Sequence, residues 1–177
     1  MKSLDIVVLC KIFILQCQGK GDWTYADLAE GVCLSVGETH ASVKRLKRSR
    51  LFDEYTKSII PSAMLEFLVH GLKYAFPAET GTRERGISTA HSAPVFQNEV
   101  QFSKDDVYVW PYAKGPERGL SVSPLSKSTP KAVLKDKNLY DFLALLDGIR
   151  IGKAREAAIA VRKLEMIVNN MRKNVKL

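Results

Sequence analysis

The stretch "YADLAEGVCLSVGETHASVKRLKRSRLF" (residues 25–52) decides the fold, because it carries two helix signals separated by a short turn. Residues 22–24, just before it, offer an N-cap region, and Gly31 can end the first helix. Ser35 caps the second helix, and Glu38 three residues later completes a Ser-x-x-Glu capping box. Five Lys or Arg residues lie between positions 44 and 50. The stretch therefore predicts two helices joined by a tight turn, the second of them basic towards its C-terminus.

The second of these helices has two chemically different faces when its residues are placed at about 100° intervals. One face is predicted to pack on the preceding helices, and it consists of Val36, Thr39, Val43 and Leu46. The opposite face is small near its N-terminus and basic further on, which suits a helix whose first turns lie near base edges while later turns reach phosphates. The residues predicted to contact DNA are Ser35, Gly37, Glu38, His40, Ala41, Lys44, Arg45 and Arg48.

Further elements are predicted on both sides of this pair of helices. Apolar residues recur at helical intervals from Leu4 to Leu15, which predicts a first helix that Gly19 stops. Residues 51–60 predict a small hairpin, and Pro61 opens a fourth helix over about residues 62–74. The expected order of helix, helix, capped basic helix and hairpin is that of a winged helix-turn-helix.

Residues 28–52 resemble bacterial winged-helix regulators of the MarR-like type. The shared landmarks are Leu-Ala, an apolar residue, a turn, Leu-Ser, a helix that ends Lys-Arg-Leu, and a final Leu-apolar pair. Two features depart from that pattern: Arg50 stands where Gly is usual, and the hairpin starts with Asp53 and Glu54, which phosphates would repel. The blocks "HGLKYAFPAE", "ISTAHSAP", "YVWPY" and "LYDFLALLDGIRIGKARE" also resemble a poorly characterised family of bacterial winged-helix proteins. These resemblances imply a regulator that binds duplex DNA, and we expect it to be a sequence-specific transcriptional regulator that acts as a homodimer.

Composition agrees with a polyanionic partner. The chain has 177 residues, 46% of them hydrophobic, and a formal net charge of +8, which favours nucleic acid over an acidic protein or an anionic membrane surface. No apolar run reaches the 18 or so residues of a membrane span. Three cysteines without C-x-x-C spacing indicate neither a disulfide framework nor a zinc site. We therefore expect a cytoplasmic protein without cofactor or metal.

The rest of the chain divides into two further segments after a DNA-binding domain at residues 1–76. Residues 77–131 are predicted to be largely irregular, with a short β-hairpin that pairs residues 107–110 with 120–122 around "AKGPERG". The segment "GTRERG" within it is read as an exposed loop, or as a loop that holds a phosphate or enters a minor groove. Residues 132–177 predict two helices or one bent helix. The expected fold class is mainly α with a small β component.

An apolar stripe near the C-terminus is predicted to form the homodimer interface. Its residues are Ala154, Ala157, Ala158, Val161, Leu164, Val168 and Met171. A two-fold protein would match a two-fold operator, and a small reading head usually needs two half-sites. The stripe could instead fold back on its own chain.

Three other interpretations of the sequence stay open. The basic run could be a solvated face that complements the dipole of its helix. The winged helix could be an interaction module, such as the antitoxin-like partner of an adjacently encoded enzyme. An enzyme could use His91 with Asp105 and Asp106, but no nucleophile motif accompanies them, so no catalytic residue is predicted.

Overall fold

The computed structural model describes residues 1–100 and 102–173. It is 57% helical with 14% strand, which confirms a mainly α fold with a small β part. The helices are α1 (Leu4–Cys17), α2 (Tyr25–Val32), α3 (Val36–Arg48), α4 (Pro61–Glu66), α5 (Leu72–Ala75), α6 (Thr129–Val133), α7 (Lys137–Ile151) and α8 (Ala154–Lys173). A π-helical turn, Phe67–Gly71, joins α4 to α5. The strands are β1 (Phe52–Asp53), β2 (Ser58–Ile59), β3 (Thr80–Ser88), β4 (Tyr108–Pro111) and β5 (Glu117–Val122).

Capping boxes fix the starts of α2 and α3. The Thr24 hydroxyl accepts from the Asp27 N–H at 3.2 Å, and the Asp27 carboxylate accepts from the Thr24 N–H at 2.9 Å. Ser35 and Glu38 form the same reciprocal pair at the start of α3. Cys33, at a φ of 54°, ends α2 in the left-handed conformation that turns the chain into α3. The predicted starts of both helices are thus set by local side-chain hydrogen bonds, whereas α2 ends at Cys33 and not at the predicted Gly31.

A hairpin of two strands, each two residues long, follows α3, as predicted for residues 51–60. Phe52 pairs with Ile59 and Asp53 with Ser58 in antiparallel register. The Asp53 carboxylate holds the turn, because it accepts from the Tyr55 N–H at 2.9 Å and from the Thr56 hydroxyl at 3.0 Å. Phe52 and Ile59 are buried, so the hairpin is anchored on the helices by its apolar residues.

The middle segment forms a closed three-stranded arrangement, in which residues 108–109 pair with 120–121 as predicted, but in parallel and not as a hairpin. β3 pairs antiparallel with both β4 and β5, while β4 and β5 run parallel to each other. The strands approach closely at Gly86, where a Cβ atom would lie 2.1 Å from the Trp110 carbonyl oxygen. The expectation of a loop at "GTRERG" is wrong because residues 80–85, although exposed and mostly polar, pair along β5. Their sequence has no apolar alternation to indicate a strand.

α7 is buried on most of its surface and carries a buried carboxylate, Asp147. One Asp147 oxygen accepts from the Thr89 hydroxyl at 2.9 Å and from the Trp110 indole at 2.6 Å, and the other accepts from Arg150 at 2.6 Å. Burial raises the pKa of Asp147, and these three donors oppose the rise by favouring the ionised form. Arg150 also donates to the Phe76 carbonyl at 2.8 Å, so the network joins α7 to the end of the N-terminal segment and, through Thr89 and Trp110, to the middle segment.

One hydrophobic core serves the whole described chain. It contains α1 residues such as Phe13, middle-segment residues such as Trp110, and C-terminal residues such as Phe142. The Phe13 and Phe142 rings meet edge to face with centroids 5.9 Å apart. The described parts of the three segments, residues 1–76, 77–131 and 132–173, therefore share their interior.

Candidate nucleic-acid interface

The buried face of α3 fixes which of its side chains reach solvent. Thr39, Val43 and Leu46 are buried as predicted, and Ser42 is buried beside them. Val36 was predicted to face inward, but it is 51% exposed at the first position of the helix. One side of α3 is therefore buried from Thr39 to Leu46, and the opposite side faces solvent.

Arg45 does not project outward as predicted. Its guanidinium donates twice to Asp5 of α1, from Nε at 2.8 Å and from Nη2 at 2.6 Å. Asp5 is fully buried and also accepts from the Lys2 N–H at 2.6 Å. Burial raises the pKa of Asp5, but the hydrogen bonds from Arg45 and Lys2 outweigh it and leave the pKa below its usual value. The outward orientation of Arg45 is therefore wrong, because a buried carboxylate forty positions away holds its charge.

Exposed cations remain on α3 and on the hairpin beside it. Lys44, Arg48, Arg50 and Lys57 are exposed, and none of them has an acidic partner within 4 Å among the described residues. Arg50 has a φ of 57°, so the residue that replaces the usual Gly adopts a conformation that favours Gly. These four exposed residues lie on α3, in the turn after it and in the hairpin, and we call them the basic face.

The two hairpin acids are less repulsive to phosphate than expected. Glu54 pairs with Lys47 of α3, so its charge is largely balanced. The Asp53 carboxylate accepts the turn hydrogen bonds and is half-buried. The hairpin tip instead presents Tyr55, which is 99% exposed. The hairpin could thus lie next to a polyanion with less repulsion than its sequence suggests.

The N-terminal residues predicted to contact DNA have mixed surroundings. Ser35 and Glu38 are exposed but are committed to the cap, where hydrogen bonds from the Ser35 side chain and N–H lower the pKa of Glu38. Gly37 and His40 are exposed, and Ala41 is half-buried. A Cβ atom on Gly37 would meet nothing within 4 Å, so this turn of the helix can approach another surface closely. The ionised Glu38 is the one acidic group in this set of eight residues.

A cleft of about 470 Å³ opens between α3, the hairpin and the segment before α2. Aromatic rings form much of its wall: Trp23 meets Tyr25 with centroids 5.7 Å apart and Phe52 at 6.3 Å, and Tyr25 meets His40 at 4.9 Å. Lys44 and Lys57 of the basic face also line it. We call it the aromatic cleft. Sequence reasoning missed it because its rings come from separate elements and only His40 was singled out.

The C-terminal stripe lies partly inside the chain. Leu164 and Val168 are fully buried together with Ala160, and α8 packs on α7 and α4. Ala157 and Val161 are half-buried, while Ala154 and Ala158 are exposed. Met171 lies outside the residues whose side chains are described. The prediction that Leu164 and Val168 form an intermolecular interface is therefore wrong, because the stripe folds back on its own core.

The residues considered for catalysis have structural partners. His91 is buried, and its Nε2 lies 2.7 Å from the Asp106 backbone carbonyl oxygen, which requires Nε2 to donate. The Asp105 carboxylate accepts from Arg83 at 3.1 Å and is exposed. Within residues 1–100 and 102–173, no group of three or more His, Cys, Asp or Glu residues could hold a metal ion. None of the described helices is long and apolar enough to cross a membrane.

Comparison with known proteins adds no relative: no family model, curated protein or solved structure matches this chain.

Proposed function

We propose that this chain binds duplex DNA with α3 and the β1–β2 hairpin and acts as a sequence-specific transcriptional regulator. The single observation that carries the proposal is the basic face. Lys44, Arg48, Arg50 and Lys57 are exposed and lack acidic partners, while the opposite side of α3 is buried. Cations held on a rigid helix and an adjacent hairpin are the arrangement that phosphates attract.

The order of groups along α3 supports major-groove contact. Gly37 and Ala41 are small and lie in the first half of the helix, whereas Lys44 and Arg48 lie in the second half. A helix whose N-terminal half is slim can approach base edges while its basic half reaches the backbone. Arg45 takes no part, because Asp5 holds it.

A homodimer is the finer form of this proposal, since two reading heads are the usual way to recognise a two-fold operator. Its interface would use residues other than Leu164 and Val168, which the core covers. Exposed residues on α8 include Ala154, Ala158 and Met166. Sedimentation at micromolar concentration tests this part separately, and a monomer of 19.8 kDa would remove it without affecting the reading head.

The salt dependence of binding to a random-sequence duplex tests the basic face. Four phosphate contacts per chain give a slope of log affinity against log salt of about −3.6. Lys44→Gln and Arg48→Gln should each flatten the slope by about 0.9. Lys114→Gln is the matched control, because Lys114 is exposed and lies far along the chain, in the β4–β5 connection.

Unchanged affinity and slope in both variants would contradict the proposal. Selection of bound fragments from genomic DNA then asks whether binding is specific, and enrichment of one common site is expected. If the purified chain ignores DNA but always co-purifies with one protein, the interaction-module interpretation replaces the regulator.

A further inference from the structure

The aromatic cleft carries chemistry that contact with a duplex backbone does not use. Duplex DNA presents phosphates to a protein surface and hides the faces of its bases in the stack. The cleft instead exposes aromatic surface: Tyr25 is half-buried and His40 is exposed, while Trp23 and Phe52, which line the cleft as well, are buried. A wall of four rings, edge to face or tilted with centroids 4.9 to 6.3 Å apart, suits a planar ring as its ligand.

The indole of Trp23 can report on the cleft, because Trp23 is one of the residues that line it. Trp23 is 8% exposed, and its Nε1–H is buried without a hydrogen-bond partner among the described residues. A buried donor without a partner is uncommon in native structures and is unfavourable by an amount comparable to a lost hydrogen bond. By contrast, the indole of Trp110 donates to Asp147 at 2.6 Å. Because Trp23 lines the cleft and Trp110 does not, a ligand in the cleft changes the surroundings of the Trp23 indole alone.

The charges around the cleft are of both signs, which narrows the class of ligand. Lys44 and Lys57 lie at the cleft without acidic partners, and the exposed carboxylate of Asp22 lines it as well. Lys47 and Glu54 also line the cleft, but they pair with each other. A simple aromatic acid would meet the lysines but would be repelled by Asp22. A nucleotide uses all three kinds of group: its base stacks on aromatic rings, its exocyclic amine donates to a carboxylate, and its phosphate pairs with lysine.

We propose that the aromatic cleft binds a single unpaired nucleotide, with the base against Tyr25 and His40 and the phosphate at Lys44 and Lys57. The cleft volume of about 470 Å³ is within the ordinary range for small-ligand sites. The nucleotide could come from two sources: a free mononucleotide, or an unpaired position in a DNA strand. Because Lys44 and Lys57 also belong to the basic face, a bound mononucleotide competes with duplex for the same cations.

The two tryptophans allow the cleft to be observed directly in the intact protein. The chain has two Trp residues, so a ¹⁵N-labelled sample shows two indole resonances. We expect AMP to shift the Trp23 resonance in a saturable way and to leave that of Trp110 unchanged. Adenosine, which lacks the phosphate, and ribose 5-phosphate, which lacks the base, should each bind at least about tenfold more weakly, since either one loses one of the two sets of contacts.

Variants of exposed residues assign the binding to the cleft without risk to the core. His40→Ala removes one stacking ring and should weaken AMP binding by about 5- to 100-fold. Lys44→Gln with Lys57→Gln removes both cations and should weaken it by about tenfold or more, while the matched Lys114→Gln protein behaves like the unmodified one. Equal binding of AMP and ribose 5-phosphate, or of AMP to the unmodified and His40→Ala proteins, overturns the proposal.

A second arm distinguishes the source of the nucleotide. A duplex with one unpaired 3′ nucleotide is compared with the blunt duplex of the same sequence by fluorescence anisotropy. A preference of about tenfold for the overhang that His40→Ala removes assigns the cleft to a strand nucleotide, and an AMP shift without that preference assigns it to a free one. If neither the AMP shift nor the preference for the overhang is observed, the inference is overturned. Binding of the blunt duplex reports the proposed function alone, so its failure beside a retained AMP shift would remove duplex recognition and leave the cleft.

Discussion

Replacement of Arg45 by Ala should lower stability strongly and leave the salt dependence of DNA binding almost unchanged. Asp5 is fully buried, and Arg45 provides two of the three hydrogen bonds that the carboxylate accepts. Removing one partner of a buried ion pair leaves an uncompensated charge and typically lowers stability by 3–5 kcal/mol. The Arg45 side chain is 23% exposed and the Lys2 N–H remains, so we expect the lower end, about 3 kcal/mol.

The pH dependence of this loss follows from the direction of the pKa shift. In the unmodified protein the pKa of Asp5 is lowered, so its stabilising contribution is present above the pKa of the unfolded chain and is lost as pH falls through the lower folded value. In Arg45→Ala, burial dominates and raises the pKa of Asp5, so protonation relieves the variant as pH falls. The difference in unfolding free energy should therefore be largest near neutral pH and smaller near pH 4.

Urea unfolding followed by circular dichroism at several pH values measures this difference. Asp5→Leu combined with Arg45→Met is the control, because it removes both charges together and should recover most of the lost stability. A loss below about 0.5 kcal/mol for Arg45→Ala, or a loss independent of pH, would refute the assignment of this pair.

Three further predictions concern other parts of the fold. Arg50→Gly should raise stability by about 1 kcal/mol, because it removes a side chain at a φ of 57°, and urea unfolding measures this gain. The same change should weaken DNA binding and flatten its salt slope by about 0.9, which fluorescence anisotropy measures. Leu164→Glu should unfold the chain instead of yielding a folded monomer, since Leu164 is fully buried. A native circular dichroism spectrum together with altered sedimentation would instead support Leu164 as part of a dimer interface. Gly86→Ala should lower stability by about 1–3 kcal/mol because its Cβ would collide with the Trp110 carbonyl, whereas Gly37→Ala has open space and should be neutral or slightly stabilising by thermal melting.

Local signals in the sequence predicted the N-terminal elements well. Ser35 and Glu38 mark the start of α3, and the apolar spacing that ends at Leu46 identifies its buried side. Both depend on residues within one or two turns of each other. The mainly α class follows from such signals, which is why it could be predicted before any tertiary contact was known.

Long-range pairings explain what the sequence did not indicate. No residue near Arg45 in the sequence indicates that Asp5 of α1 accepts its hydrogen bonds. The helical spacing of residues is the same whether an Arg side chain is solvated or paired with a distant carboxylate. β3 was missed because it is polar and contains glycines, so its sequence has no alternation of apolar and polar residues. It is a strand because it pairs with β4 and β5, which are distant in the sequence. The apolar stripe that contains Leu164 was recognised, but an apolar stripe does not indicate whether the same chain or a second copy covers it.

The burial of α1 bears on whether the surface proposed to bind DNA could be moved to another protein as a separate unit. Residues 6–10 of this helix are fully buried, and α1 packs on α2 and α3 on one side and on α7 on the other. A fragment ending after α5 would bare the side of α1 that α7 covers, including the Phe13 ring, and would tend to aggregate. Because the two halves share a helix as a common wall, they should melt in one transition, and a proteolytic cut near α7 should abolish DNA binding although it lies far from the basic face.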